Sequence, residues 1–180
     1  MEFQRFTAPD ATTLEASIAE HRARLAAARQ AGDEPAIAEH AADLGALLTT
    51  ARREAEALVL LRTQLDRIQA FSGLEMAGWF WNAYATALQY NGLRGEANAA
   101  FAQALALSCA GGWRRLQSFV LQHWGRNLVE QGDLDAAQAK FEQALAIRRE
   151  LNDPRTASTE QALAGLAELR ARQAQNGPAR

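Results

Sequence analysis

Apolar residues recur at intervals of three and four along most of the chain, and no stretch alternates apolar and polar residues as a strand does. This pattern predicts an all-α fold. Turn-forming residues divide it, most clearly at Asp33-Glu34-Pro35, Asn91-Gly92, Gly111-Gly112 and Asp153-Pro154. These boundaries predict helices over about 11–30, 74–91, 94–109, 113–131, 133–151 and 154–173.

Two segments of the chain repeat each other, without gaps, at a spacing of 40 residues. The aligned pairs include Tyr84 with Trp124, Leu88 with Leu128, Ala97 with Ala137, Phe101 with Phe141 and Ala104 with Ala144. The same spacing relates four small residues, Gly45, Ala85, Gly125 and Gly165. Because a small residue lets a neighbouring helix approach closely, the spacing predicts repeated helix pairs.

The repeated positions resemble the tetratricopeptide repeat, whose pattern is a large apolar residue, Leu-Gly, an aromatic residue, a turn, and then Ala, Phe and Ala. In the better copy the matching residues are Leu121, Trp124-Gly125, Leu128, Gly132, Ala137, Phe141 and Ala144. The period of 40 residues exceeds the usual one of about 34, and resembles the long-helix variant of kinesin light chains and bacterial signalling proteins.

This resemblance implies a right-handed superhelix of antiparallel helix hairpins, with about seven helices in this chain. It divides the sequence into three parts. Residues 1–72 form an N-terminal helical hairpin, residues 73–173 form the repeats with a C-terminal capping helix, and residues 174–180 form a disordered tail.

The segment from about 35 to 70 departs from the repeat pattern. The repeat spacing predicts a turn near residue 52, but residues 52–56 contain no Gly, Pro or Asn. An apolar stripe with helical spacing continues through this position from Ile37 to Ile68. We therefore favour one long helix over about 35–70, paired with the first helix as a hairpin. The alternative is a degenerate repeat with a tight turn near residue 52.

A binding groove is the function that the resemblance implies, because the first helix of each repeat lines the concave face in this family. The positions that match are Trp79, Asn82, Thr86, Gln89, Tyr90, Phe119, Gln122, Arg126 and Glu130. Amides can pair with an extended backbone, Arg126 can bind a carboxylate, and the aromatic residues can form apolar pockets. We therefore expect a scaffold that binds a peptide or partner protein. The alternatives are a groove filled by the N-terminal hairpin or a second copy, and a homo-oligomerising (for example homodimeric) regulatory module of a signalling system.

Composition and charge narrow the class of protein. The net charge of −2 gives no basic surface for nucleic acid. The lone Cys109 is typical of a reducing compartment, and residues 1–5 lack the pattern of a secretory signal. No apolar run approaches the roughly 18 residues of a membrane helix. We expect a cytoplasmic protein that binds neither nucleic acid nor membrane.

Catalytic and metal-binding patterns are absent from the sequence. His21, His40 and His123 fall on three predicted helices, and no His-Glu-x-x-His or Cys-x-x-Cys motif occurs. Cys109 lies at the end of a helix, whereas reactive thiolates favour helix starts or cationic partners. We therefore expect no enzymatic activity, no cofactor and no metal site.

Overall fold

The computed structural model describes residues 2–8 and 10–175, and in these ranges all regular secondary structure is helical. The helices are α1 (Ala11–Ala31), α2 (Glu34–Thr50), α3 (Glu54–Arg62), α4 (Leu65–Gln69), α5 (Glu75–Tyr90), α6 (Arg94–Ala110), α7 (Arg114–Gln131), α8 (Leu134–Glu150) and α9 (Thr156–Gln175). The predicted all-α fold is confirmed. The predicted tail begins inside α9, and residues 176–180 lie outside the described ranges.

The prediction of one long helix over 35–70 is wrong, because a turn at residues 51–53 separates α2 from α3. Arg52 has a φ of 62°, in the left-handed region that Gly92 and Gly132 occupy 40 and 80 residues later. The backbone hydrogen bond that closes each turn is also repeated. It joins Arg53 N–H to Leu48 O at 2.8 Å, Leu93 N–H to Leu88 O at 3.0 Å and Asp133 N–H to Leu128 O at 3.0 Å.

A second break after Arg62 separates α3 from α4, which is a helix of five residues. Residues 63–64 turn there, and the Thr63 hydroxyl donates to the carbonyl of Leu60 at 2.7 Å. Both breaks fall within the segment predicted as one helix. The described residues therefore form nine helices rather than about seven.

Close packing between paired helices accounts for two of the small residues at the repeat spacing, Gly45 and Gly125. A Cβ atom added to Gly45 on α2 would lie 2.7 Å from the side chain of Leu61 on α3. A Cβ atom added to Gly125 on α7 would lie 2.6 Å from the ring of Phe141 on α8. In both pairs the partner follows the glycine by sixteen residues, so α2–α3 packs in the same register as α7–α8.

Apart from α3 and α4, consecutive helices pack on one another from α1 to α9, and α5 also packs on α2, α3 and α7. One cluster of buried side chains extends from Ile18 on α1 to Val120 on α7, so it includes residues on both sides of position 72. No described helix is long and apolar enough to cross a membrane. The right-handed superhelix stays a prediction from the resemblance.

Candidate functional site

A cavity of about 500 Å³ lies against the faces of α5 and α7 that the resemblance assigns to a groove. Most of the predicted groove residues line it, namely Trp79, Asn82, Thr86 and Tyr90 from α5 and Phe119, Gln122 and Arg126 from α7. Residues of α2, α8 and α9 complete the wall, together with the segment that precedes α1. Tertiary packing has therefore gathered side chains from five helices and from the N-terminal segment around one space.

Aromatic rings form one side of the cavity. The ring of Trp79 meets that of Phe119 edge to face, with centroids 5.1 Å apart and planes at 71°. The indole N–H of Trp79 donates to Glu75 Oε1 at 3.1 Å, which fixes the orientation of the ring. The guanidinium of Arg155 lies 4.6 Å from the Phe119 centroid on the other side. Aromatic walls of this kind offer a large apolar contact area at low cost in side-chain entropy.

Buried polar side chains without hydrogen-bond partners also line the cavity. Oδ1 of Asn82, both amide atoms of Gln122 and Nε of Arg126 are buried and make no hydrogen bond among the described residues. Buried polar groups in proteins are almost always paired, and leaving one unpaired costs about 1–3 kcal/mol. These groups lie side by side on α5 and α7, so they present donors and acceptors to the same space.

Positive charge dominates the cavity wall, although the chain as a whole has a net charge of −2. The lining includes Arg5, Arg126, Arg148 and Arg155, against Asp43 as the lining carboxylate. Arg5 pairs with Glu54, and Arg155 pairs with Asp153 at 3.3 Å. Arg126 and Arg148, by contrast, have no carboxylate within ion-pair distance among the described residues. Burial lowers the pKa of the Arg126 guanidinium. The wall therefore favours a ligand that carries negative charge.

Arg148 reaches the cavity from α8 and is 2% exposed. Its Nη1 donates to Arg155 O at 3.1 Å, to Ser158 Oγ at 3.2 Å and to Thr159 Oγ1 at 2.6 Å. These bonds hold the guanidinium in one orientation, and Nε remains without a partner. Burial lowers the pKa of Arg148 to about 10, so the group stays charged at neutral pH.

His123 remains neutral beside these cations. Its burial, and then the charges of Arg126 and Arg148, lower its pKa to about 3. Its ring nevertheless keeps an edge on the cavity. Nδ1 lies 3.3 Å from the hydroxyl of Thr86, which already donates its proton to Asn82 O at 2.8 Å. When the hydroxyl donates to Asn82 O, Nδ1 is the donor in this contact and Nε2 is an acceptor; the other tautomer reverses these roles.

The segment before α1 occupies part of the predicted groove, and we refer to residues 2–6 as the strap. The backbone N–H of Phe3 donates to Oε1 of Glu130 at 3.0 Å, and Nε2 of Gln4 donates to Gln161 O at 3.1 Å. Arg5 pairs with Glu54 at 3.1 Å and donates to Thr49 O at 2.6 Å. The strap therefore joins the α2–α3 turn to α7 and α9.

Two predicted groove residues contact the strap, and a third is buried away from the cavity. Tyr90 stacks against Arg5, whose guanidinium carbon is 3.9 Å from the ring centroid. Glu130 does not line the cavity, because its fully buried side chain binds the N–H of Phe3 and Nε of Arg94. Gln89 is 1% exposed and does not line the cavity either. The strap therefore occupies part of this face, and the alternative of a groove filled by the N-terminal hairpin or by a second copy stays a prediction.

Sequence reasoning missed the cations that come from outside α5 and α7. Arg148 and Arg155 belong to α8 and the turn that follows it, and Arg5 belongs to the strap. The resemblance assigned the groove to first helices, so these positions carried no signal. No protein-family model matches the chain, and no curated protein matches it, so the candidate site depends on its geometry and on the repeat pattern.

Proposed function

We infer that the chain is a non-catalytic binding scaffold that takes an extended peptide segment of a partner protein in the cavity between α5 and α7. The observation that carries this proposal is the row of buried polar groups on Asn82, Gln122 and Arg126, which lack partners among the described residues. An extended peptide offers backbone donors and acceptors that would satisfy these amides. The aromatic pair Trp79 and Phe119 would hold an apolar side chain next to them.

The charge of the wall specifies the ligand further. Arg126 and Arg148 both lower the pKa of His123 by their charges, so the three groups share one electrostatic environment. A carboxylate there would pair with Arg126, which has no carboxylate partner of its own among the described residues. The proposed ligand is therefore a short peptide that presents an acidic side chain or a C-terminal carboxylate.

A library of fluorescein-labelled hexapeptides with free C-terminal carboxylates tests this proposal by fluorescence anisotropy. For the peptides that bind, Arg126→Ala should weaken affinity by about tenfold or more, because a charge-assisted hydrogen bond is worth about 1.5–3 kcal/mol. Asn82→Ala should weaken affinity by a smaller factor. The same peptides with C-terminal amides distinguish a bound C-terminus from a bound side chain.

Arg24→Ala is the matched control, since it removes an equal charge from the exposed surface of α1. Helical content, measured by far-ultraviolet circular dichroism, should be the same in all variants. If Arg24→Ala and Arg126→Ala weakened affinity equally, the effect would come from net charge alone, and the proposed site would be contradicted. A dimer that protects Trp79 and Tyr90 in solution would instead support the self-assembly alternative.

A further inference from the structure

Two histidines and a carboxylate meet where α1 packs on α2. His21 lies on α1, while His40 and Asp43 lie three residues apart, on one face of α2. The ring centroids of His21 and His40 are 6.0 Å apart with the planes at 73°, and Nδ1 of His21 lies 3.7 Å from Oδ2 of Asp43. One potential ligand atom from each of the three residues lies within 4.8 Å of the others. The hairpin therefore joins two histidines that the sequence places on separate helices.

One ring nitrogen of each histidine lacks a hydrogen-bond partner. Nδ1 of His21 and Nδ1 of His40 are both buried, and neither makes a hydrogen bond in the described part of the chain. Buried polar atoms in native proteins normally have a partner, so this pair needs an explanation. Imidazole nitrogen and carboxylate oxygen are atoms that bind zinc. A metal ion between them would satisfy both nitrogens at once.

The separations suit such an ion. Metal–ligand bonds of about 2.0–2.1 Å place the ligand atoms of a tetrahedral zinc site roughly 3.3 Å from one another. The distance of 3.7 Å between His21 and Asp43 is already near this value. Asp43 has a half-exposed side chain, so its carboxylate can rotate to close the remaining gap. The histidines lie on helices anchored by the buried residues Ile18, Leu25 and Ala41, so their backbones are fixed.

We propose that His21, His40 and Asp43 form a binding site for a divalent transition-metal ion of the zinc type. Three protein ligands leave a fourth position for water or another ligand. Asp43 also lines the cavity of the candidate peptide site, so the ion lies at the edge of that cavity. The metal site goes beyond the proposed peptide binding and does not depend on it.

The experiment uses the full chain without an affinity tag, in a Cys109→Ser background, because Cys109 is exposed and thiolates bind zinc. Titration with Co²⁺ should produce visible absorption bands of a low-coordinate site, and Zn²⁺ should abolish them at one equivalent. Isothermal titration with Zn²⁺ should give one ion per chain. Zn²⁺ should also raise the thermal midpoint, because binding to the folded state stabilises it.

His21→Gln and His40→Gln should each weaken Zn²⁺ binding by at least about tenfold, since either change removes one of three protein ligands. Asp43→Asn, at a half-exposed position that folding tolerates, should also weaken it. Glu39→Gln removes the same charge from an exposed position on α2 and should leave the affinity unchanged. Zn²⁺ affinity that is equal in the wild type, His40→Gln and Asp43→Asn would overturn the proposal. Loss of peptide binding in Arg126→Ala has no bearing on these measurements.

Discussion

The helix pair α7–α8 and the terminal helix α9 fill the same packing position in two different ways. On α7, a Cβ atom at Gly125 would meet the ring of Phe141, which belongs to the 17-residue helix α8. On α9, a Cβ atom at Gly165 would lie 2.5 Å from Nε2 of Gln4 and 3.4 Å from the ring of Phe3. Phe3 lies beside Phe141, with ring centroids 6.2 Å apart, in one cluster of buried residues.

This difference shows what the repeat requires at its glycine position. It requires a bulky apolar side chain against the helix, but the element that carries the side chain can be a helix or an extended strap. The two solutions differ in how they are anchored. Phe141 is fixed by the backbone hydrogen bonds of α8, whereas Phe3 is held by the few contacts of the strap.

The largest expected effect is that of Phe141→Ala, which removes a fully buried ring from the repeat core. It should lower the free energy of unfolding by about 3–5 kcal/mol, the usual range for such a truncation. Urea unfolding followed by circular dichroism measures this. Val59→Ala, at a side chain that is 68% exposed, is the control and should change stability by less than about 0.5 kcal/mol.

Gly125→Ala comes next, because its new methyl group would overlap the Phe141 ring. The ring is enclosed and cannot move away, so overpacking should cost about 1–3 kcal/mol despite the better helix propensity of alanine. The same urea measurement applies. Stability equal to that of the wild type would mean that α8 shifts freely on α7, and would contradict the tight register of the repeat.

Phe3→Ala should destabilise less than Phe141→Ala, even though Phe3 is only 5% exposed. The strap can detach without unfolding the helices, so the loss should be about 1–2 kcal/mol, below the full worth of burying a phenylalanine. Hydrogen exchange should increase at the amide of Phe3 and leave the core of α7 and α8 protected. Phe6→Ala, at an exposed strap residue, is the matched control. If Phe3→Ala instead increased hydrogen exchange throughout α7 and α8, the strap would not be an independently detaching element.

Gly165→Ala should have the smallest effect. Its methyl group would meet the end of the flexible Gln4 side chain, which can move, while Phe3 stays at ordinary contact distance. Helix propensity favours alanine by about 1 kcal/mol, so the variant should be as stable as the wild type or slightly more stable. A loss as large as that of Gly125→Ala would show that the strap is as rigid as α8.

The sequence predicted the helices of the later repeats well, because Gly92 and Gly132 end helices locally and the 40-residue spacing relates the two copies. It failed at Arg52, where the backbone adopts a left-handed conformation without glycine. Such a conformation costs an L-residue about 1–2 kcal/mol. The burial of Leu58 and Leu61 against α2 outweighs that cost, and Arg52 also pairs with Glu2 at 2.5 Å. The repeat spacing, which predicted a turn near residue 52, was the better guide here. The lack of Gly, Pro or Asn at residues 52–56 did not prevent the turn.

The sequence likewise predicted only part of the candidate site. The resemblance to the tetratricopeptide repeat assigned Trp79, Asn82, Phe119, Gln122 and Arg126 to one groove, and these residues do line one cavity. It gave no signal for Arg148 or the strap. Their positions depend on contacts between parts of the chain separated by many residues, and such contacts leave no period in the sequence.

By itself, the sequence determined the all-α fold and the turn positions at Gly92 and Gly132, because helix geometry and turn chemistry act over a few residues. Only the tertiary structure decided that α2 and α3 are separate, that Phe3 packs beside Gly165, and that His21 meets His40 and Asp43. The physical reason is that distant segments bury one another's side chains. The free energy of this burial exceeds the conformational preference of any single residue.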